Sequence, residues 1–268
     1  MAIRKRIGII GCGNMGRAII SGVLKNRIAN RKQIFIFDAV RSQMARAAHS
    51  FKVRQAKSNR DLAGRADIIL LAVKPQDLKT VASEIRGLVR SHQIVVSILA
   101  GTPITKLKRL LGMRPLLVRA MPNLGAQVGE AITAIAGANR AALNAAELIF
   151  SGCGRVIRLP ERHFDLVTAV SGSGPAYFFL LMELLSKAAR QGGIPSAAAR
   201  LLAVQTALGA ARLAQMSSDS PEELRQKVTS KKGTTDAALR FLWKKKFGAI
   251  FIQGIRQAVK RARQLSRD

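Results

Sequence analysis

The chain has 268 residues, is 48% hydrophobic and carries a formal net charge of +30, from 45 Lys+Arg against 15 Asp+Glu. That apolar content excludes a disordered chain, and the length suits one large domain or two ordinary ones. The basic residues are spread along the sequence in short clusters such as 4–6 and 244–246, and there is one Tyr and one Trp, so a nucleic-acid groove with stacking platforms is not expected.

In chain order, "RIGIIGCGNMGRAIISGVL" reads as a short apolar strand, a glycine turn and an amphipathic helix. Its start is basic then apolar. However, Gly8, Gly11, Gly13, Asn14 and Arg17 interrupt it and no cleavage site follows, so it is not read as a signal peptide. "QIFIFD" is a second strand, and a helix is expected from about Arg41 to His49. "ADIILLAV" is a buried strand with a helix after Pro75. "QIVVSIL", "RPLLVRAM", "EAITAIA" and "GRVIRL" continue the strands, with helices over "ITKLKRLL" and "RAALNAAELIF". Strands alternating with helices predict a mostly parallel sheet covered on both faces.

Near Pro160 the strand signals stop. From Phe164 the chain is Ala/Leu-rich with helical spacing, broken at "QGGIPS", "SSDSP" and "TSKKGTT". The expected organisation is α/β: a Rossmann-type doubly wound sheet over residues 1–160, then an all-α domain over 161–268. No stretch reaches the ~18 unbroken apolar residues of a membrane span, and no membrane partner is expected. Cys12 and Cys153 are too few for a disulfide framework and have no metal-like spacing, which fits a reducing, cytoplasmic setting.

"GCGNMG" holds Gly11, Gly13 and Gly16 directly after a strand and at a helix start. Gly11 permits a tight turn, Gly13 lets a pyrophosphate approach, and Gly16 allows helix and strand to pack closely. Asn14 and Met15 complete the loop, whose N–H groups and dipole favour an anion. A ligand-free glycine turn is the alternative. Asp38 ends the second strand, where a carboxylate bonds the ribose hydroxyls of NAD and repels the extra phosphate of NADP. Arg41 nearby favours that phosphate, and helix capping is a third role for Asp38. NADH use at least equal to that of NADPH is expected from Asp38.

Three further strand ends carry small or turn-forming residues: "AVKPQD" with Ala72, Val73, Lys74 and Pro75; "SILAG" with Ala100 and Gly101; "RAMPN" with Pro122 and Asn123. In doubly wound sheets ligands lie beyond such ends. With Asn59, these residues are the candidate cofactor site. "SGSGPAYFF" (171–179) reads as a helix start, with Pro175 in the first turn and Ser173 or Gly174 as cap, in a loop bare enough for close approach to its backbone.

"GCGNMG", "AVKP", "RAMPN", "VSGSGPAYFF" and "VTSKKGTTDAAL" stand in the order and spacing of the pyrroline-5-carboxylate reductase family, which this chain resembles over nearly its whole length. The resemblance implies reduction of the C=N bond of 1-pyrroline-5-carboxylate to L-proline with NADPH or NADH. It also implies a Rossmann domain, a helical dimerisation domain in a homodimer or ring of dimers, and an active site between the two domains at a subunit interface. Ser230, Gly233, Thr234 and Thr235 are then the substrate-binding residues, with hydroxyl and backbone donors for a carboxylate. By resemblance Thr235 is the catalytic hydroxyl, bonded to the ring nitrogen. On residue types alone the same segment reads as a helix cap. One departure stands out: the family pattern "TSPGGTT" is "TSKKGTT" here, with Lys231 and Lys232 in place of proline and glycine. That change bears on loop freedom and substrate affinity.

Two rival functions are a β-hydroxyacid dehydrogenase and a non-catalytic basic nucleotide-binding or nucleic-acid-binding protein. Lys187, the candidate acid/base for the first, lies in "ELLSKAAR", a plain amphipathic pattern.

Overall fold

The computed structural model describes residues 3–267. Its strands are β1 (Ile7–Ile10), β2 (Ile34–Phe37), β3 (Arg54–Gln55), β4 (Ile68–Leu71), β5 (Ile94–Ser97), β6 (Leu116–Met121), β7 (Ala131–Gly137) and β8 (Gly154–Arg158). They form one 8-stranded sheet in the order β3-β2-β1-β4-β5-β6-β7-β8. Every pair is parallel except β6 with β7. β1, β4 and β5 are buried at every residue, which is why they read as continuous apolar runs rather than alternating ones.

Successive strand residues still point to opposite faces. Ile7, Ile9, Ile68 and Leu70 join one core with Ile19 and Ile20 of α1 (Asn14–Lys25), Ala47 of α2 (Arg41–Phe51) and Ile149 of α6 (Arg140–Ser151). Ile10, Ile69 and Leu71 face the other core, with Leu62 of α3 (Asn59–Arg65), Val81 of α4 (Leu78–Ile85) and Leu107 of α5 (Ile104–Leu111). Two elements had no clear sequence signal. β3 is two exposed residues at the sheet edge, and α3, "NRDLAGR", is mostly polar and is fixed by Ser58, whose hydroxyl accepts from the Asp61 N–H at 3.1 Å.

The chain is then helical from Glu161 to Gln191. This run contains α7 (Phe164–Val167), a π-helical turn at Thr168–Gly172 and α8 (Gly174–Gln191). α8 thus starts at Gly174 with Pro175 in its first turn, as the sequence suggests, but it continues a chain that is already helical. Pro175 lacks an N–H and cannot continue an ordinary ladder, and the widened turn just before it carries the chain past that gap. The Ser173 N–H donates to the Thr168 carbonyl at 2.8 Å. At Gly172 a Cβ would lie 2.6 Å from Met121 Cε, so the glycine admits the end of β6. The start of the run is clamped to the sheet. Glu161 accepts from the Ile104 N–H at 2.7 Å and pairs at 3.2 Å with Arg119, which is 4% exposed and lies 4.9 Å above the Phe164 ring.

By backbone packing the chain has two compact units: residues 1–173 with 258–268, and Gly174–Gln257. The second unit consists of α8, α9 (Ser196–Met216), α10 (Pro221–Lys227), α11 (Thr234–Lys244) and most of α12 (Phe247–Arg267). α10 carries a capping box between Ser220 and Glu223, which explains the break at "SSDSP". Among the described residues this unit buries only Gly174, Ala199 and Ala203. Phe178, Leu181, Leu185, Leu201 and Trp243 are exposed. The Glu161–Gln191 run includes an 18-residue window of mean hydropathy 1.2 that is 17% buried, so by length and composition alone it could cross a membrane.

Candidate cofactor and substrate sites

β1 to β6 run the same way and end at one edge of the sheet, while β7 and β8 run the other way, and β1 lies between β2 and β4, where the chain order reverses. Gly11 follows β1 with φ +103°, and a Cβ there would lie 2.6 Å from the Ala72 carbonyl group. At Gly16 a Cβ would strike the Gly11 carbonyl oxygen. Both glycines are thus demanded by internal packing. Gly13 is different: a Cβ there would meet nothing within 4 Å. Its bareness leaves the start of α1 open to an incoming group. α1 has no side-chain cap and no acid in its first turn, so its N–H groups and dipole present positive potential. This cradle fits a dinucleotide pyrophosphate.

Asp38 is half-buried at the end of β2. Its Oδ2 accepts from the Cys12 N–H at 2.6 Å and its Oδ1 from the Val40 N–H at 2.8 Å. The carboxylate therefore braces the glycine loop as well as ending the strand. Burial, and then Asp38, push the Cys12 thiol up to about 12, with Arg17 opposing. Cys12 stays a thiol at neutral pH and offers no nucleophile.

The other predicted residues fall into small groups. Ala72 and Val73 abut Gly11, and the Ala72 N–H donates to the Ile10 carbonyl at 2.8 Å. Pro75, Ala100 and Gly101 line a cavity of about 380 Å³ with Thr102, Lys79, Lys106 and Leu265. Lys74 is exposed beside it. Pro122 and Asn123 follow β6, and the buried Asn123 Oδ1 has no hydrogen-bond partner. Asn59 is buried, donates to Glu84 at 2.8 Å and also leaves its Oδ1 without a partner. Asn14 and Gly13 line a separate cavity of about 230 Å³ with Cys12, Arg17, Gln43 and Arg46. Met15 instead packs against the apolar core. Sequence reasoning missed Arg17, Gln43 and Arg46. The available signal was the position of Arg17, one helical turn beyond Gly13.

In the helical unit, Ser230 to Gly233 form a turn closed by the Gly233 N–H donating to the Ser230 carbonyl at 3.0 Å. α11 starts at Thr234 with Gly233 at its N-cap and no side-chain cap. Among the described residues the hydroxyls of Ser230, Thr234 and Thr235 make no hydrogen bond, so the helix-cap alternative for these side chains is not realised. Lys232 takes the φ +63° position of this turn. Left-handed backbone suits glycine, and a side chain there costs about 1 kcal/mol. The Lys232 N–H donates to Asp236, a contact any residue keeps. Lys232→Gly is therefore expected to raise the melting temperature by about 2–4 °C. Differential scanning calorimetry checks it, and an unchanged or lower midpoint refutes the strain.

Fold and glycine loop together define a nicotinamide-dependent oxidoreductase. A family model described as pyrroline-5-carboxylate reductase dimerisation matches residues 161–265, and one described as NADP oxidoreductase coenzyme F420-dependent matches 6–101. A pyrroline-5-carboxylate reductase of Pseudomonas aeruginosa is 38% identical over 97% of this chain and 97% of its own length. A solved pyrroline-5-carboxylate reductase of Coxiella burnetii is 35% identical, with a TM-score of 0.92 over 98% of this chain and 99% of that one. A pyrroline carboxylate reductase of Plasmodium falciparum, solved with NADP bound, is 26% identical with a TM-score of 0.89, over 99% of this chain and 100% of that one. The chain belongs to the pyrroline-5-carboxylate reductase family and is an NAD(P)-dependent reductase of 1-pyrroline-5-carboxylate in proline biosynthesis. Neither rival function is favoured.

Proposed function

We propose that the glycine loop and the strand ends after β4, β5 and β6 hold the dinucleotide, and that residues 230–235 hold the substrate. The functional division we adopt is 1–160 for the dinucleotide and 161–268 for substrate and assembly. What supports the substrate assignment is the uncapped start of α11, with three unengaged hydroxyls beside its first-turn N–H groups. Those N–H groups and the Ser230 hydroxyl take the substrate carboxylate. The Thr235 hydroxyl bonds the ring nitrogen and orients the C=N bond. The cofactor supplies a hydride to the imine carbon. The proton on nitrogen is already present in an iminium substrate, so a strong protein acid is not required. His49, His92 and His163 are all exposed and lie outside both candidate sites.

The exposed apolar helices point to a homodimer or a ring of dimers, with a second copy rather than a bilayer covering the Glu161–Gln191 run. Cys12 and Cys153 are buried free thiols, in keeping with a cytoplasmic protein.

Thr235→Ala tests the substrate assignment. A hydroxyl that acts on the reacting nitrogen helps the transition state more than the ground state. Its loss is expected to cost about 1–3 kcal/mol, or roughly one to two decades in kcat, with dinucleotide affinity unchanged. Thr235→Ser is expected to keep much of the activity. Full turnover by Thr235→Ala, followed by NADH and NADPH oxidation with pyrroline-5-carboxylate, rejects the role.

A further inference from the structure

Cations that are scattered in sequence are gathered by the fold. Each helix returns the chain to the edge of the sheet where β1 to β6 begin, at the other end of β1 from the glycine loop. The segments that enter these strands are 3–6, 25–33, 49–54, 65–67, 85–93 and 108–115. Every one of them carries Lys or Arg, and Asp67 is the one acid they hold. Asp67 pairs with Arg6 at 3.1 Å, and Arg65 pairs with Asp61 of α3. At the opposite edge, segments 11–14, 38–41, 56–59, 72–77, 98–103 and 122–130 hold Asp38, Asp77 and Glu130 against Arg41, Lys57 and Lys74. A chain with 45 Lys+Arg and 15 Asp+Glu makes single unpaired cations ordinary, but it does not sort the charges onto one edge.

Helix dipoles account for part of the sorting. Lys25, Arg65, Lys108 and Arg109 lie in last turns, where a cation is favoured. Arg4 and Lys5 lead into β1, and Arg31 and Lys32 into β2, beyond any α-helix end. Arg27 and Lys52 take left-handed positions just past α1 and α2, at φ +54° and +53°, where glycine is the usual residue. A side chain there costs about 1 kcal/mol. Arg27, Arg31 and Lys32 stand around a cavity of about 660 Å³ that Leu24 and Ala29 also line. The turn carrying Arg31 and Lys32 is fixed by a capping box between Asn30 and Gln33, and the Gln33 side-chain amide donates to the Ile3 carbonyl at 2.8 Å.

We propose that this edge binds duplex nucleic acid through its phosphates, as a second function separate from the reductase site. Six adjacent strands spread the entering segments over about 24 Å. That row is a rigid match for a rigid polyanion with one charge per about 1.7 Å of its axis. Arg27, Arg31 and Lys32 clasp the sugar-phosphate backbone of one strand, and Arg4 and Lys5 extend the contact along the row. No exposed aromatic side chain stands in these segments among the described residues, so bases are not stacked and binding is independent of sequence. The expectation against nucleic acid rested on missing stacking platforms, which phosphate contacts do not need. A bilayer is served less well, because Met113 is the one large hydrophobic residue exposed in these segments among the described residues.

The test is fluorescence anisotropy of the full-length protein with a short labelled DNA duplex. Affinity of about micromolar or tighter is expected at about 50 mM salt, falling about a hundredfold by about 200 mM if four phosphates are neutralised. Arg27→Gln, Arg31→Gln and Lys32→Gln together are expected to weaken binding by at least about tenfold and to flatten the salt dependence, with kcat and the thermal melt unchanged. Lys244→Gln, Lys245→Gln and Lys246→Gln remove the same charge from another dense cluster and are expected to stay within about threefold of the wild type. Equal weakening by both triple variants overturns the proposal, because net charge alone would then hold the duplex. Absence of duplex binding at the lower salt also overturns it. So does tighter binding, at the same salt, to vesicles of phosphatidylglycerol and phosphatidylcholine, which would assign the edge to a membrane. None of these outcomes touches the reductase activity, which is assayed separately.

Discussion

Phe178→Asp combined with Leu185→Asp is expected to convert the assembled protein into a single chain of 29.0 kDa by light scattering, and to abolish turnover. Phe178 and Leu185 are 61% and 51% exposed and share one face of α8 with Leu181 at helical spacing. Burying such a side chain is worth about 1.5–3 kcal/mol, and in a symmetric dimer each counts in both copies. The double change therefore removes about 6–12 kcal/mol and adds four buried charges, against about 8 kcal/mol for a micromolar dimer. The effect reaches beyond assembly. All three buried apolar clusters lie outside residues 174–257. Without a partner this unit has almost no core, so far-ultraviolet circular dichroism of the variant is expected to lose helix in step with the mass change. A wild-type protein that is monomeric at micromolar concentration, with its helices intact, refutes the dimer and this account of the apolar faces.

The glycine loop offers the second large effect, in the form of two variants with opposite signatures. Gly16→Ala drives a methyl group into the Gly11 carbonyl, and the neighbour is backbone with no rotamer to yield. α1 must lift from β1, which disturbs the core that Ile19 and Ile20 share with the strand. Overpacking of this kind costs about 1–3 kcal/mol or more. A fall of several degrees in melting temperature is expected, with loss of dinucleotide binding as a consequence. Gly13→Ala meets nothing inside the protein. It is expected to leave the melting temperature unchanged and to weaken both dinucleotides by about tenfold or more, because the methyl group occupies the approach of the pyrophosphate. Normal dinucleotide affinity in Gly13→Ala would falsify the placement of the phosphates at α1.

The sheet was readable because its strands are short apolar runs, each set off by glycine, proline or a helix start. "IGII", "IILL" and "IVVS" are unambiguous once bounded in this way. β3 was not readable, since "RQ" is two exposed residues held only by pairing with β2. "SGSGPA" does start α8, with Pro175 in its first turn, but its composition gave no sign that the chain before it is already helical through the turn at Thr168–Gly172. The glycine loop and strand ends were legible by position. Arg17 could have been read from its place one helical turn beyond Gly13, but Gln43 and Arg46 could not, because a cavity between two helices has no signature in spacing. The uncapped start of α11 was likewise hidden, since Ser, Thr and Gly at a helix start look the same whether they cap it or wait for a ligand.

α12 leaves the helical unit after Gln257 and ends packed on the sheet unit. Gly101, at φ +63°, makes room for Leu265, and the Ser266 hydroxyl donates to Asp165 at 3.1 Å. The sheet unit is therefore discontinuous in sequence, and residues 174–257 are an insertion within it. Synthesis runs from the N-terminus, so a nascent chain can complete the sheet long before it makes residues 258–267. Until then the loop that follows β5 lacks its lid. One proteolytic nick at either crossing leaves the sheet unit as two pieces that must hold together without a covalent link.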